Sequence, residues 1–382
     1  MEQGPVKRLF LLAAGGTGGH MIPAHALAEE LIARGHKVVL VTDDRGARIP
    51  GIFKGVDVHV LPAGRLGGGV LGWIGAAKGI WAGRKAAKAL IRQYEPAAAI
   101  GFGGYPALPT LLAALSEKVP TGLHEQNAVL GRVNRLLARF VKVLATAYHR
   151  VDRVPAKIVP VIVGNPVRAE ILALRDQPYP PLTEDGIFRL LITGGSQGAS
   201  VLSTVVPDAL GLLPVSLRQR LQVTQQCRPE DIEKVRARYA ELDIPADLAT
   251  YLGDLPERLG WSHLFVGRSG ASTIAELTAA GRPAILVPLP TAMDDHQTAN
   301  AREMAATGGA ASIPQSRFTP QQLAKQMQKM ALEPGALENA AHRARDAGYP
   351  QATQALADLV ESLAGPTPAP VGPAPAFKEV IA

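Results

Sequence analysis

Short apolar runs alternate with stretches of helical spacing along most of the chain. The runs are "RLFLLAA", "KVVLVTDD", "AAAIGFGG" and "TGLHEQN" in the first half, then "RLLITGG", "YLGDL", "LFVGRSG" and "PAILVPLP" in the second. Apolar runs of this length without polar alternation read as strands buried on both faces, and crossover helices between them make a parallel α/β sheet. The pattern begins again midway. "LLAAGGTGG" (Leu11–Gly19) aligns without a gap on "LLITGGSQG" (Leu190–Gly198), with Thr17 falling on Ser196. Each is an apolar strand, a glycine turn and the start of a helix. Two Rossmann-like domains in tandem are the economical expectation.

The boundary falls where "VGNPVR" (Val163–Arg168) leads into a segment carrying Pro178, Pro180 and Pro181, which reads as a linker. This predicts one domain over 1–165 and a second over 166–364, whose last helix is free to return to the first. Thr319 as N-cap, Pro320 at the first helical position and Gln322 behind it predict a helix start. From 365 to 382 the chain is Pro/Ala-rich ("GPTPAPVGPAPAF") and reads as a disordered tail.

The 382-residue length agrees with two domains, and 47% hydrophobic against 19% charged residues describes a globular protein with a sizeable core. A single cysteine, Cys227, excludes an internal disulfide and fits a reducing compartment. The net charge of +7 suits anionic partners: phosphorylated substrates, an acidic lipid surface or nucleic acid. Aromatics are only 5% and no nucleic-acid-binding motif is present, so nucleic acid is the weakest of the three. The apolar run after Lys7 and Arg8 ends in glycines too soon for a signal peptide, and no uncharged stretch of about 18 residues could span a bilayer. The expectation is a soluble or peripheral protein.

Ligands of open parallel sheets bind beyond the carboxyl ends of the strands, and the unusual polar clusters lie there in both halves. Four glycine-rich loops follow strands: Gly15–Gly19, Gly101–Gly104, Gly194–Gly198 and Gly267–Thr273. Such loops let backbone N–H groups and a helix N-terminus approach a phosphate, so together they favour a diphosphate ligand. A dinucleotide dehydrogenase is the rival, with Asp43 and Asp44 at the end of the second strand. However, Gly16 and Gly18 are followed by Met21 where a third glycine belongs, and the two acids read as a solvated strand end.

His20 opens a helix behind the first loop, where a helix N-terminus lowers an imidazole pKa and makes it a base near pH 7. "HEQN" (His124–Asn127) and "DDHQ" (Asp294–Gln297) read as polar clusters for sugar or phosphate, with weak metal-ligand potential. In "GRSGASTIAEL" (Gly267–Leu277) small residues open a helix that could receive a phosphate, and Glu276 could accept from two ribose hydroxyls. In Gly67–Tyr94, Val70, Trp73, Ile74, Ala77 and Trp81 recur at helical spacing beside Lys78, Arg84, Lys85, Lys88 and Arg92. Tryptophan beside lysine and arginine is the pattern of a helix lying on an anionic membrane.

"GGTGGH", "GFGGY", "HEQN", "GNPVR", "GGSQGA", "RSGASTIAEL" and the DxxQ ending in Gln297 occur in the order found in the MurG family of bacterial transferases, which this chain resembles over about residues 7–360. The resemblance implies an α/β GT-B architecture, two Rossmann-like domains whose parallel sheets face each other across a cleft. It implies inverting transfer of N-acetylglucosamine from UDP-N-acetylglucosamine to the C4 hydroxyl of the lipid-linked muramyl pentapeptide (lipid I), giving lipid II for peptidoglycan, with no cofactor and no catalytic metal. By motif, Ser196, Gln197, Arg268 and the helix start Ala271, Ser272, Thr273, Ile274 and Ala275 should hold the nucleotide diphosphate, Glu276 the ribose and Gln297 the donor sugar. Leu252 stands where the family usually has isoleucine and would contact uracil through its backbone. Thr17, Gly18, Gly19, Gly103, Gly104, Tyr105, Asn127 and Arg168 should face the diphosphates and sugars. His20 is the first candidate for the general base and Glu125 the second. The resemblance further implies a peripheral protein on the cytoplasmic face of the bacterial inner membrane, with an anionic lipid surface and cell-wall synthesis proteins as partners and no nucleic acid. A UDP-sugar epimerase of the same fold is the alternative, and an NAD(P)-dependent oxidoreductase the third reading.

Overall fold

A computed structural model of the chain describes residues 7–16, 18–49, 52–62, 69–195 and 198–365, without the side chains of 69–74 and 76. The Pro/Ala-rich tail beyond Gly365 lies outside the described residues. Strands β1 (Leu9–Ala13), β2 (Lys37–Thr42), β3 (Asp57–Val60), β4 (Ala98–Gly101), β5 (Thr121–Glu125), β6 (Val143–Thr146) and β7 (Val161–Ile162) form one parallel sheet in the order β3-β2-β1-β4-β5-β6-β7. A second parallel sheet has the order β10-β9-β8-β11-β12-β13. Its strands are β8 (Phe188–Thr193), β9 (Leu221–Gln226), β10 (Ala246–Ala249), β11 (Leu264–Gly267), β12 (Ala284–Leu286) and β13 (Ala310–Ser312). In both sheets the strand order reverses beside the first strand, where a crevice opens beyond the carboxyl ends. The paired glycine loops after β1 and β8 sit at those two reversal points.

One expected strand is corrected. "YLGDL" (Tyr251–Leu255) is a turn that leads into the helix Leu255–Trp261, with Asp254 at the N-cap position and Pro256 in the first turn. The strand is the preceding, more polar β10. The pattern also passes over β9, "LQVTQQ", because it is polar along half its length. Gln225 there is fully buried and accepts a 2.5 Å hydrogen bond from the Tyr239 hydroxyl. That bond satisfies the Gln225 carbonyl, while its Nε2 is buried without a partner among the described residues. The helix start at Thr319 forms as expected, with its hydroxyl accepting from Gln322 N at 3.2 Å.

The last helix, Ala352–Leu363, crosses back to the first sheet. Leu356, Ala357, Val360 and Leu363 join Phe10, Leu12, Leu27 and Val38 in one core. Arg34 donates to Glu361 Oε2 at 2.8 Å, and His36 Nε2 lies 2.7 Å from Glu361 Oε1. The chain therefore passes between the two sheets twice, near Gly164 and near Tyr349. The crossings touch, since a Cβ at Gly164, whose φ is +85°, would collide with the Tyr349 side chain. Elsewhere the loop after β5 meets the helix His296–Thr307 of the second half directly, with Ala299 packed on Ala128 and Val129.

Candidate active site between the two sheets

Asp43 is not a solvated strand end. Its Oδ1 accepts from Gly16 N at 2.9 Å and Gly46 N at 3.0 Å, so one carboxylate caps the helix Asp44–Ala47 and ties down the first glycine loop. Burial works to raise its pKa, but the two N–H groups and Arg45 hold it below the ordinary value. Gly15 must be glycine for a steric reason, because a Cβ there would stand 2.6 Å from Pro106 Cβ and 3.0 Å from Asp43 Oδ1.

His20, in the first turn of the helix Gly18–Ala33, donates from Nδ1 to the Gly15 carbonyl oxygen at 3.0 Å. A carbonyl can only accept, so this bond fixes the neutral tautomer and leaves Nε2 as the basic nitrogen. Burial lowers the His20 pKa below the ordinary histidine value, partly opposed by the Gly15 bond and the Glu125 carboxylate. Gly103 and Gly104, both at positive φ, form the opposite side of the ring's slot. A Cβ on Gly104 would approach His20 Cε1 and Nδ1 to 3.2 Å, and one on Gly103 would lie 3.6 Å from Nε2. Tyr105 stands beside the Arg132 guanidinium.

"HEQN" is not a surface loop. His124, Glu125 and Gln126 are each at most 2% exposed. Glu125 Oε1 accepts from Asn127 N and Nδ2, and Oε2 accepts from Gly131 N at 2.8 Å and Asn134 Nδ2 at 2.9 Å. The second base candidate thus has both oxygens committed to shaping the loop after β5. His124 donates from Nε2 to the Gly164 carbonyl, while its Nδ1 accepts from Gln126 Nε2.

Burial pulls His124 down to about 4, and His263, buried beside Arg189, also to about 4. Both are neutral in the fold, whereas an unfolded histidine binds its proton near pH 6.5. The unfolded chain therefore holds more protons between about pH 6.5 and 4, and stability must fall as pH drops through that window. Thermal unfolding should give a Tm that is highest at neutral pH and declines from pH 6.5 towards 4. His124→Gln should make that decline shallower; a Tm flat from pH 7 to pH 4.5 would contradict the assignment.

On the second sheet, the helix Ala271–Ala280 starts at Gly270 with no side chain capping it, so its first N–H groups, including those of Ser272 and Thr273, face the crevice without a cap. The Ser272 hydroxyl is buried without a partner among the described residues. Ile274 is core, Ala275 half-buried. Glu276, 5% exposed, accepts from Arg168 Nε at 3.1 Å and Nη2 at 2.7 Å, both on Oε1. Burial raises its pKa and Arg168 opposes the rise. Leu252 is buried beside this helix. Arg268 donates to the carbonyls of Val287 and Pro288 and to Gln315 Oε1, so it braces the loop after β12. Gln297 Oε1 accepts from Leu289 N at 3.0 Å, and the Ser269 hydroxyl donates to the Gln297 carbonyl at 2.8 Å. Thr17, Ser196 and Gln197 lie outside the described residues.

The acids of "DDHQ" are engaged by protein. Asp294 receives Arg153 at 2.6 Å and Arg132 and Arg135 at 3.5 Å, all from the first domain. Burial works to raise the Asp294 pKa, but these arginines hold it below the ordinary value. Asp295 accepts from the Thr298 hydroxyl at 2.7 Å. Among the described residues no group of three His, Cys, Asp or Glu side chains could hold a metal ion.

The long helix Gly69–Tyr94 forms as the spacing predicts. Val70, Trp73 and Ile74 have side chains outside the description, but Ala77 is exposed and Trp81 is 68% exposed with Lys85 Nζ 5.9 Å from its ring centre. The basic stripe is partly neutralised, because Lys88 and Arg92 both pair with Glu117. Among the described residues no helix is long and apolar enough to cross a membrane.

Two residues at the site, Arg228 and Asn300, lie outside every motif of the sequence. Arg228 lies close enough to Arg268 to lower its pKa further after burial, and approaches the second glycine loop so that a Cβ at Gly198 would come within 2.8 Å of its Cγ. Ser269 and the fully buried Asn300 complete the contact between the walls. Ser269 belongs to the "GRSGASTIAEL" motif, whereas no local pattern marks Arg228 or Asn300.

The Glycosyltransferase family 28 N-terminal domain matches residues 10–146, and the Glycosyltransferase family 28 C-terminal domain matches residues 189–362. The UDP-N-acetylglucosamine--N-acetylmuramyl-(pentapeptide) pyrophosphoryl-undecaprenol N-acetylglucosamine transferase of Zymomonas mobilis subsp. mobilis is 64% identical over 363 residues, which is 94% of either chain. The crystal structure of Acinetobacter baumannii MurG superposes with a TM-score of 0.74 at 30% identity, covering 93% of this chain and 99% of that one. A putative UDP-N-acetylglucosamine 2-epimerase from Listeria monocytogenes shares the fold at a TM-score of 0.67 and 14% identity, covering 94% and 96% of the two chains.

Proposed function

The chain belongs to the MurG family of N-acetylglucosamine transferases, and from that membership we propose that it moves N-acetylglucosamine from UDP-N-acetylglucosamine to lipid I, the undecaprenyl-diphosphate-linked muramyl pentapeptide, forming lipid II. The observation that carries the reading is identity of 64% across both domains, against 14% for the epimerase, where only the fold is shared.

The chemistry follows from the two walls. The acceptor's C4 hydroxyl attacks C1 of the donor sugar on the face opposite the departing UDP, and the C1–O bond to the diphosphate breaks as the new glycosidic bond forms. His20 Nε2 takes the hydroxyl proton; its support is the Gly15 bond that presets the tautomer and the lowered pKa that keeps the ring neutral at pH 7. Glu125 stands second, with four donors already on its carboxylate. The negative charge that grows on the departing diphosphate meets the uncapped start of Ala271–Ala280, with Ser196 and Gln197 in the loop after β8 and Arg228 beside it. Glu276 holds the ribose and Gln297 the sugar hydroxyls, while Asn127, Arg168 and the Gly18–Gly19 and Gly103–Tyr105 loops line the remainder. This division gives the acceptor to the domain over 1–165 and the nucleotide to that over 166–364.

The acceptor's prenyl chain stays in a bilayer, so the first domain works at a membrane surface. Exposed Trp81 with Lys85 against its ring, and Lys78 nearby, support contact of the long helix with anionic lipid on the cytoplasmic face.

The deciding assay supplies labelled UDP-N-acetylglucosamine with and without lipid I analogue. Label should pass to the lipid only when acceptor is present, and other UDP-sugars should transfer poorly. Turnover of the UDP-sugar without acceptor would favour the epimerase.

A further inference from the structure

Asn300 sits at the centre of an unbroken hydrogen-bond path between the two walls. It is fully buried, in the helix His296–Thr307 of the second domain. Its Oδ1 accepts from Ala128 N at 2.8 Å, and its Nδ2 donates to Asn127 Oδ1 at 3.1 Å and to the Ser269 carbonyl at 3.2 Å. Asn127 in turn donates from Nδ2 to Glu125 Oε1 at 3.1 Å, and the Ser269 hydroxyl donates to the Gln297 carbonyl.

The polarity of the path is determined at both ends. The Ala128 N–H can only donate and the Ser269 carbonyl can only accept, so the Asn300 amide has one orientation. Asn127 is pinned likewise, between a carboxylate that only accepts and an amide NH2 that only donates. A flip of either amide would set like groups against each other, and at fully buried Asn300 no solvent could compensate. Around this path, Asp294 binds Arg132, Arg135 and Arg153, and Arg302 Nη2 reaches Asp152 at 3.3 Å. Those outer pairs are partly exposed and hold the domains together without specifying a fine register. The Asn300 and Asn127 amides, the first buried and the second half-buried, can specify it, because hydrogen bonds lose strength steeply with misalignment.

We infer that Asn300 is a positioning residue for the transfer: it locks the acceptor-side Asn127 and Glu125 in register with the donor-side Ser269–Gln297 loop. The inference rests on the function proposed above. Its effect falls on kcat, because each substrate binds largely within its own domain whereas the reaction needs both walls aligned.

The test compares Asn300→Asp, Asn300→Ala, Asn127→Ala and the double alanine variant with wild type, measuring Tm, kcat and the KM of each substrate. Asn300→Asp keeps the shape and the acceptor for Ala128 N–H but turns a donor into a carboxylate oxygen facing two acceptors. It should lower kcat by roughly 10- to 100-fold, with KM for UDP-N-acetylglucosamine within about threefold of wild type. Its activity relative to wild type should recover as pH falls, because a protonated carboxyl again donates. The double alanine variant should be no slower than the slower single variant, as expected for members of one unit. Wild-type kcat in Asn300→Asp, a loss confined to Tm, or multiplicative effects of the two alanines would overturn the inference. Failure of both Asn300 variants to fold would overturn it too, by making the residue architectural. No transfer by wild type removes the function and the inference together, whereas normal wild-type transfer with unaffected variants removes the inference alone.

Discussion

A His20→Ala variant is expected to lose roughly 10²- to 10⁴-fold in kcat while its KM for UDP-N-acetylglucosamine stays near the wild-type value. The expectation follows from where the ring stands. It belongs to the first domain, its Nδ1 is occupied by the Gly15 carbonyl, and the close approach of Gly103 and Gly104 leaves little freedom for it to turn. Removing it takes away the proton acceptor without touching the helix start at Ala271. The pH profile supplies an independent check. Because burial lowers the His20 pKa, the acidic limb of kcat in wild type should lie below pH 6.5, and the variant should lack that limb. Steady-state kinetics over pH 5 to 8 would read both. Unchanged kcat would remove His20 as the base and pass the role to Glu125. Glu125→Gln is a poor separate probe, since its amide would set an NH2 against the N–H groups of Asn127 or Gly131 and disturb the loop.

Glu276→Ala should act mainly on donor affinity, lowering kcat/KM for UDP-N-acetylglucosamine by roughly 10- to 100-fold, the range of a lost charge-assisted hydrogen bond. Two features set the size. The carboxylate is buried, so its bonds are poorly replaced by water, and Arg168 loses its only carboxylate partner among the described residues when the side chain goes. Glu276→Gln keeps one acceptor and should fall between. A 2′-deoxy donor separates ribose binding from general disruption. Wild type should use it less well than the natural donor, and Glu276→Ala should scarcely tell the two apart. Equal discrimination by both proteins would place the ribose elsewhere and leave Glu276 as the partner that orients Arg168.

Much of the architecture was legible because parallel α/β folds write themselves locally. β1 and β8 are apolar runs followed by glycines, and such a run has few stable fates besides a strand covered on both faces. Where the local signal was ambiguous the reading slipped by a few residues. "YLGDL" reads as a strand, but Asp254 and Pro256 start a helix there, and β9 is hidden because the Tyr239 hydroxyl that meets its buried Gln225 carbonyl is supplied only by the fold. Asp43 is similar: after an apolar strand it looked solvated, yet its two amide partners lie in a loop that precedes it and a helix that follows.

By itself the sequence determined two tandem sheets, glycine turns at their carboxyl ends, a histidine behind the first turn and an uncapped helix start in the second half. Each is a property of neighbours along the chain, set by backbone conformation and the period of apolar residues. Only the tertiary structure decided that the last helix completes the first core, that Asp294 of "DDHQ" binds three arginines, and that Asn127 and Asn300 meet across 173 residues of sequence. The reason is physical. A buried polar group needs a partner, but nothing in its local sequence says which distant residue folding will bring to it.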